Sequence, residues 1–164
     1  MKIKGLIDED LVNYRLCSMY IVFPKCSFKC GIDKCQNFAL LADAPIIDIK
    51  VEDICERYKN NSLSKAIVLA GLEPFDSPFD LMTLIDCFRN KYDIDDDIVI
   101  YTGYTEDDFM LGVQPALTTV YSNIMRYKNI IVKFGGYVPG NEPHFDEVLG
   151  VNLASDNQYA KRIS

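Results

Sequence analysis

The 164-residue sequence predicts one small α/β domain, spanning 1–164, built on a mainly parallel sheet. Two observations predict it. Four compact apolar runs, 15–23, 65–70, 97–102 and 129–134, read as buried strands. Between them lie segments whose apolar residues recur at helical spacing, so strand and helix alternate as in βαβ units. A chain of this length buries roughly 68–70% of its unfolded surface, enough for a single core.

Each element follows from its residues. RLCSMYIVF (15–23) is the first strand, and Pro24 ends it. The segment 24–37 is polar, Cys-rich and glycine-containing, which marks a loop. Residues 46–50 suit a short strand or an extended entry to the next helix. Val51, Ile54, Cys55 and Tyr58 fall at i, i+3, i+4 and i+7, the stripe of an amphipathic helix. KAIVLA (65–70) is a central strand, and 71–78, with two prolines, a loop. Residues 79–90 read as a helix with Leu81, Leu84, Ile85 and Phe88 on one face. DIVIYT (97–102) is the third strand, broken by Gly103. A helix starts at 105–110 with acids in its first turn, where the dipole favours them. Another helix is expected around 116–126. NIIVKF (129–134) is the fourth strand, ended by Gly135 and Gly136. Residues 148–153 suit a last short strand.

Composition narrows the function classes. Seventeen Lys and Arg against 24 Asp and Glu leave a net charge of −7, unlike a chain that binds a phosphate backbone. No stretch approaches the ~20 apolar residues of a membrane span. Asp8, Glu9 and Asp10 come too early for a signal peptide. The expectation is therefore a cytoplasmic protein with neither nucleic acid nor membrane as partner. In a reducing compartment its six cysteines are candidates for metal binding or catalysis rather than disulfides.

In parallel sheets the functional loops sit at the strands' carboxyl ends. Three unusual loops stand there: Cys26-Cys30-Cys35 after the first strand, Gly71-Leu72-Glu73-Pro74 after the second, and Thr102-Gly103-Tyr104 after the third. Right-handed crossovers bring all three to one rim. Cys26-Ser-Phe-Lys-Cys30-Gly-Ile-Asp-Lys-Cys35 packs three thiols into one short polar loop. Thiolates suit iron–sulfur clusters or zinc. Structural zinc takes four ligands, and no fourth Cys or His lies nearby in sequence. Three cysteines hold three irons of a 4Fe–4S cube and leave the fourth open. The alternative without metal is three free thiols, which the polar loop, flanked by Lys25, Lys29 and Lys34, does not favour.

Three clustered cysteines after the first strand of an alternating β/α chain resemble the radical S-adenosylmethionine enzymes. Gly71-Leu72-Glu73-Pro74 resembles that superfamily's Gly-Gly-Glu-Pro segment. More narrowly, the chain is similar to the activating proteins of anaerobic ribonucleotide reductase. Asn37, two places after the last cysteine, Tyr101-Thr102-Gly103-Tyr104 and Ser155-Asp156-Asn157-Gln158 match segments of that group. The departures are the Cys-x3-Cys-x4-Cys spacing (x2 is usual in the second gap), Leu72 in place of the second Gly, and Lys34 and Gln36 where an aromatic normally flanks the last Cys.

The resemblance implies a partial (β/α) barrel, a 4Fe–4S cluster on Cys26, Cys30 and Cys35, and S-adenosylmethionine bound at the open iron. It implies contacts to that cofactor from Asn37, Gly71, Leu72, Glu73, Pro74, Thr102 and Tyr104, with no catalytic residue beyond the cluster. Reductive cleavage of the sulfonium C–S bond would yield a 5′-deoxyadenosyl radical, which takes hydrogen from a backbone glycine of the reductase. The implied partners are that glycyl-radical enzyme and an electron donor such as flavodoxin or ferredoxin. Cys17, Cys55 and Cys87 fall on apolar faces and read as core. His144 reads as an exposed loop residue, and the acids at 93 and 95–97 as a solvated loop.

Overall fold

The computed structural model describes residues 1–42, 45–110 and 114–164. In chain order the strands are β1 (Lys2–Ile3), β2 (Gly5–Asp10), β3 (Ser18–Phe23), β4 (Ile47–Asp48), β5 (Ala66–Gly71), β6 (Asp97–Tyr101), β7 (Ile130–Phe134), β8 (His144–Asp146), β9 (Val151–Leu153) and β10 (Tyr159–Arg162). The helices are α1 (Ala39–Ala42), α2 (Val51–Asn60), α3 (Pro78–Asp86), α4 (Glu106–Met110) and α5 (Pro115–Ile124).

The main sheet has six strands in the order β10-β7-β6-β5-β3-β2. β3, β5, β6 and β7 are parallel, while β2 and β10 close the two edges antiparallel. The sheet is thus mixed: a parallel centre with antiparallel flanks. Two small antiparallel pairs, β1–β4 and β8–β9, stand beside it.

Neighbouring parallel strands follow one another in sequence, so right-handed crossovers put the connecting helices on one face. The core agrees. Ile21, Ile67, Leu69, Ile98, Ile100 and Val132 pack with Ile54, Tyr58, Leu81, Ile85, Tyr121 and Ile124 from the helices. The opposite face carries Val68, Val99 and Ile131 under Tyr14, Leu149 and Leu153. Both faces are covered, which is why the four central strands read as unbroken apolar runs.

The expected helix over 79–90 ends early. α3 stops at Asp86, and Cys87–Lys91 forms a π-helical turn in which the Tyr92 amide donates to the Cys87 carbonyl at 3.0 Å. That turn buries Arg89, whose guanidinium donates to the carbonyls of Ile94, Asp96, Lys128 and Asn129. The acids at 95–97 are accordingly not all solvated. Tyr58 donates to Asp96 at 2.6 Å, and Tyr14 to Asp97 at 2.6 Å. Cys55 and Cys87 are buried as expected, while Cys17 is half-buried. His144 lies in β8, half-buried, with Nδ1 buried and without a partner among the described residues, not in an exposed loop. Among the described residues no helix is long and apolar enough to cross a membrane.

Candidate functional site

The site forms where the four parallel strands end. In register, Phe23 stands beside Gly71 and Tyr101 beside Lys133, so the loops after β3, β5, β6 and β7 leave the sheet at one level. They surround a cavity of about 290 Å³, just under the usual range for small-molecule sites, roughly 300–1,000 Å³. Cys26, Cys30 and Cys35 all line it and are all half-buried. The additional residues between Cys30 and Cys35 are taken up by a 3₁₀ turn, Ile32–Lys34, entered through Gly31 at φ 91°. That turn returns Cys35 to the cavity despite the wider spacing.

Hydrogen bonds tie the cysteine loop to its neighbours. Asn37 donates through Nδ2 to the Gly71 carbonyl at 2.7 Å, and the Glu73 amide donates to the Lys25 carbonyl at 2.8 Å. Asp76 joins three loops: it accepts from the Ser27 amide at 2.5 Å and from the Tyr104 hydroxyl at 2.8 Å. Lys29 pairs with Asp108 and lies 5.0 Å from the Tyr104 ring centroid. The loop therefore leans on the segments after β5 and β6, and its cysteines are held by groups distant in sequence.

Glu73 is buried, not a solvated carboxylate. One oxygen accepts from the Gly103 amide at 2.8 Å, the other from the Phe75 amide at 3.2 Å. Burial pushes its pKa up to about 7, against the pull of these amides. Gly71 is required by geometry: its φ is 94°, and a Cβ there would stand 2.5 Å from Val22 Cγ1. Leu72 lines the cavity, while Pro74 is buried behind the rim and starts a short 3₁₀ turn. Thr102 lines the cavity, its hydroxyl accepting from the Tyr104 amide at 3.1 Å. Tyr104 departs from the expectation of a cavity-wall residue. It is buried against Phe109, and its hydroxyl serves Asp76 and Ser27, because its ring extends the aromatic core under the loops.

Two features of the site escaped the sequence reading, the first being the closeness to Cys30 of two glycines read only as strand ends. Gly136 and Gly103 flank Cys30: a Cβ on Gly136 would come 2.6 Å from Cys30 Cβ, and one on Gly103 3.7 Å from Cys30 Sγ. Lys133 is the other. It lines the cavity from inside β7, 6% exposed, and donates to the Gly135 carbonyl at 2.6 Å. Its burial lowers its pKa to about 8. A charged residue inside the run NIIVKF, on the face opposite the helices, was the available signal.

The donor set suits a cluster better than one ion. Among the described residues no three Cys, His, Asp or Glu side chains converge on a single-ion site. A cubane asks for something else, since each thiolate takes its own iron. Among the described residues neither His144 nor a fourth cysteine lines the cavity. Burial raises the Cys26 thiol to about 11 and the Cys30 thiol above its ordinary value, so ligation must displace protons.

Comparison with known proteins agrees with this donor set. Residues 14–134 match the family model described as the 4Fe-4S single cluster domain. The match runs from the segment before β3 to the end of β7 and includes all three cysteines. No curated protein and no solved structure matches the chain.

Proposed function

We propose that this chain, which belongs to the 4Fe-4S single cluster domain family, is a radical S-adenosylmethionine activase acting on a glycyl-radical enzyme, anaerobic ribonucleotide reductase being the target. One observation carries the reading. Among the described residues three cysteines, and no fourth Cys or His, line one cavity of about 290 Å³. A fourth protein ligand would suit electron transfer; an open iron suits binding and chemistry. The open sheet with its helices on one face is in keeping with a partial (β/α) barrel.

Cys26, Cys30 and Cys35 would hold the 4Fe–4S cluster. When bound and reduced, the cluster supplies one electron that splits S-adenosylmethionine into methionine and a 5′-deoxyadenosyl radical able to take hydrogen from a glycine Cα of the partner. The residues of the chain bind and orient. Asn37 fixes the cysteine loop against Gly71. Gly71 lets the backbone approach closely, and Leu72 and Thr102 wall the cavity. Glu73, by binding the Gly103 amide, holds two of the cavity's loops at one spacing. Flavodoxin or ferredoxin would deliver the electron.

The test is anaerobic reconstitution followed by chemical reduction in the presence of S-adenosylmethionine. Wild-type protein is expected to form 5′-deoxyadenosine, and Cys30→Ala to form none. Fully loaded wild-type protein that leaves S-adenosylmethionine intact would overturn the proposal and leave an iron–sulfur protein of other function.

A further inference from the structure

We infer that Asp76 is a positioning residue for the cluster: it holds the segment after Cys26 so that the Phe28 amide donates to Cys26 Sγ, and that hydrogen bond raises the potential at which the cluster is reduced. The inference rests on the cluster of the reading above, carried by Cys26, Cys30 and Cys35, and not on S-adenosylmethionine.

The Phe28 amide donates to Cys26 Sγ at 3.3 Å. Residue 28 reaches that position in the left-handed region, at φ 57°. The other non-glycine residues with positive φ among the described residues are Asp93 and Asn129, types that tolerate it. A phenylalanine stays there where its surroundings over-determine the backbone. Contacts on both sides of it do so. The Gly31 amide donates to the Phe28 carbonyl at 2.9 Å. The Ser27 amide donates to Asp76 Oδ2 at 2.5 Å, and Ser27 Oγ lies 3.2 Å from the Tyr104 hydroxyl. Tyr104, buried against Phe109, donates to Asp76 Oδ1 at 2.8 Å. Asp76 follows β5 and Tyr104 follows β6, so the brace is anchored in the sheet while the loop it grips is not.

The brace matters because of the sulfur it serves. A thiolate shares negative charge with its iron, and one-electron reduction of a cluster adds to that charge. An amide aimed at the sulfur therefore stabilises the reduced state more than the oxidised one. The electrostatics at Cys26 agree. Burial disfavours charge on its sulfur most, the Phe28 amide favours it, and the carboxylates of Glu73 and Asp76 disfavour it. Asp76 thus acts in two opposed ways: its charge lowers the potential, and its grip on Ser27 raises it. A carboxamide separates the two, because it loses the charge and keeps an acceptor oxygen.

The experiment is a redox titration of anaerobically reconstituted protein without S-adenosylmethionine. Reduced cluster is quantified by EPR against poised dyes, with iron and sulfide content recorded for each variant. Asp76→Asn and Asp76→Ala both remove the charge, and only Asp76→Ala removes the acceptor for the Ser27 amide. Asp76→Ala is expected to titrate below Asp76→Asn, its ratio of reduced to oxidised cluster at a common poise about threefold lower or more, within the worth of a hydrogen bond to a charged group. After reconstitution in deuterium oxide, the pulsed-EPR coupling of the exchangeable amide should persist in wild type and Asp76→Asn and weaken in Asp76→Ala. Equal potentials in the two variants, or a coupling unchanged in Asp76→Ala, overturn the inference. Where Asp76→Ala takes up too little cluster to titrate, Tyr104→Phe takes its place, since it cuts one end of the brace and leaves every charge. A potential below wild type then upholds the inference, and an equal one overturns it. The same preparations are assayed for S-adenosylmethionine cleavage. Wild type that cleaves none, with the potentials split as expected, overturns the proposed function and leaves this inference standing. Wild type that takes up no cluster overturns both.

Discussion

Gly136→Ala is the sharpest test of how the cysteine loop is positioned. A Cβ at residue 136 would stand 2.6 Å from Cys30 Cβ and 3.7 Å from Cys30 Sγ. Carbon atoms rest at about 3.5–4.0 Å, so something must give by about 1 Å. Gly136 follows β7, whose register with β6 and β10 holds it in place. Cys30 lies on a half-exposed loop without sheet partners, so the loop yields. Overpacking of this kind costs about 1–3 kcal/mol, and each kcal/mol lowers Tm by about 2–4 °C in a chain of this size. The larger effect falls on the ligand set, because metal–thiolate bonds tolerate errors of only about 0.2 Å. The assay is iron and acid-labile sulfide per chain after anaerobic reconstitution, then the rate of iron loss to a chelator. Gly136→Ala is expected to load incompletely and lose iron faster than wild type. Gly140→Ala is the control: its φ of 89° strains an alanine by itself, but the added Cβ meets nothing among the described residues within 4 Å, so it should load fully. Gly136→Ala that loads fully and releases iron at the wild-type rate would refute the argument.

The remaining predictions concern the ligands and the fold. Cys26→Ser, Cys30→Ser and Cys35→Ser are each expected to lose the cluster's visible absorbance, whereas Cys55→Ser and Cys87→Ser, buried among the helices, should keep it. Arg89→Met should destabilise the apoprotein by about 3 kcal/mol or more, read by urea unfolding, because four carbonyls lose a charged donor. Arg57→Ala should cost no more than about 1 kcal/mol, since its pair with Asp8 is largely solvated. Arg57 holds the Asp8 carboxyl below its ordinary value. A lowered folded pKa means the contribution is present above the unfolded value of about 3.9 and fades as pH falls through the folded one. The difference between wild type and Arg57→Ala, measured by denaturant titration, should be seen at pH 7 and fade as the pH falls through the lowered folded pKa of Asp8.

The central strands and helices were legible because their signal is local. A strand buried on both faces must be apolar throughout, and β3, β5, β6 and β7 are. The edge strands were not legible. GLIDED of β2 and YAKR of β10 are half in solvent, so nothing in their composition separates them from loops. The π turn after Asp86 was hidden too, since periodicity continues through it while the backbone changes.

The sequence by itself determined the three cysteines and their loop, because ligand chemistry depends on residue type and short spacing. It also determined that the neighbouring loops share one rim, which follows from strand order and crossover handedness. Only the tertiary structure decided the rest. Glu73 was a carboxylate of unknown exposure until Gly103, thirty positions on, donated to it. Asp76 was unremarked until Ser27 and Tyr104 met on it. The need for glycine at 136 comes from Cys30, and the burial of Lys133 from a strand register that turns it toward the cavity. These are distances between residues far apart in the chain. Such distances are set by packing, and no local pattern carries them.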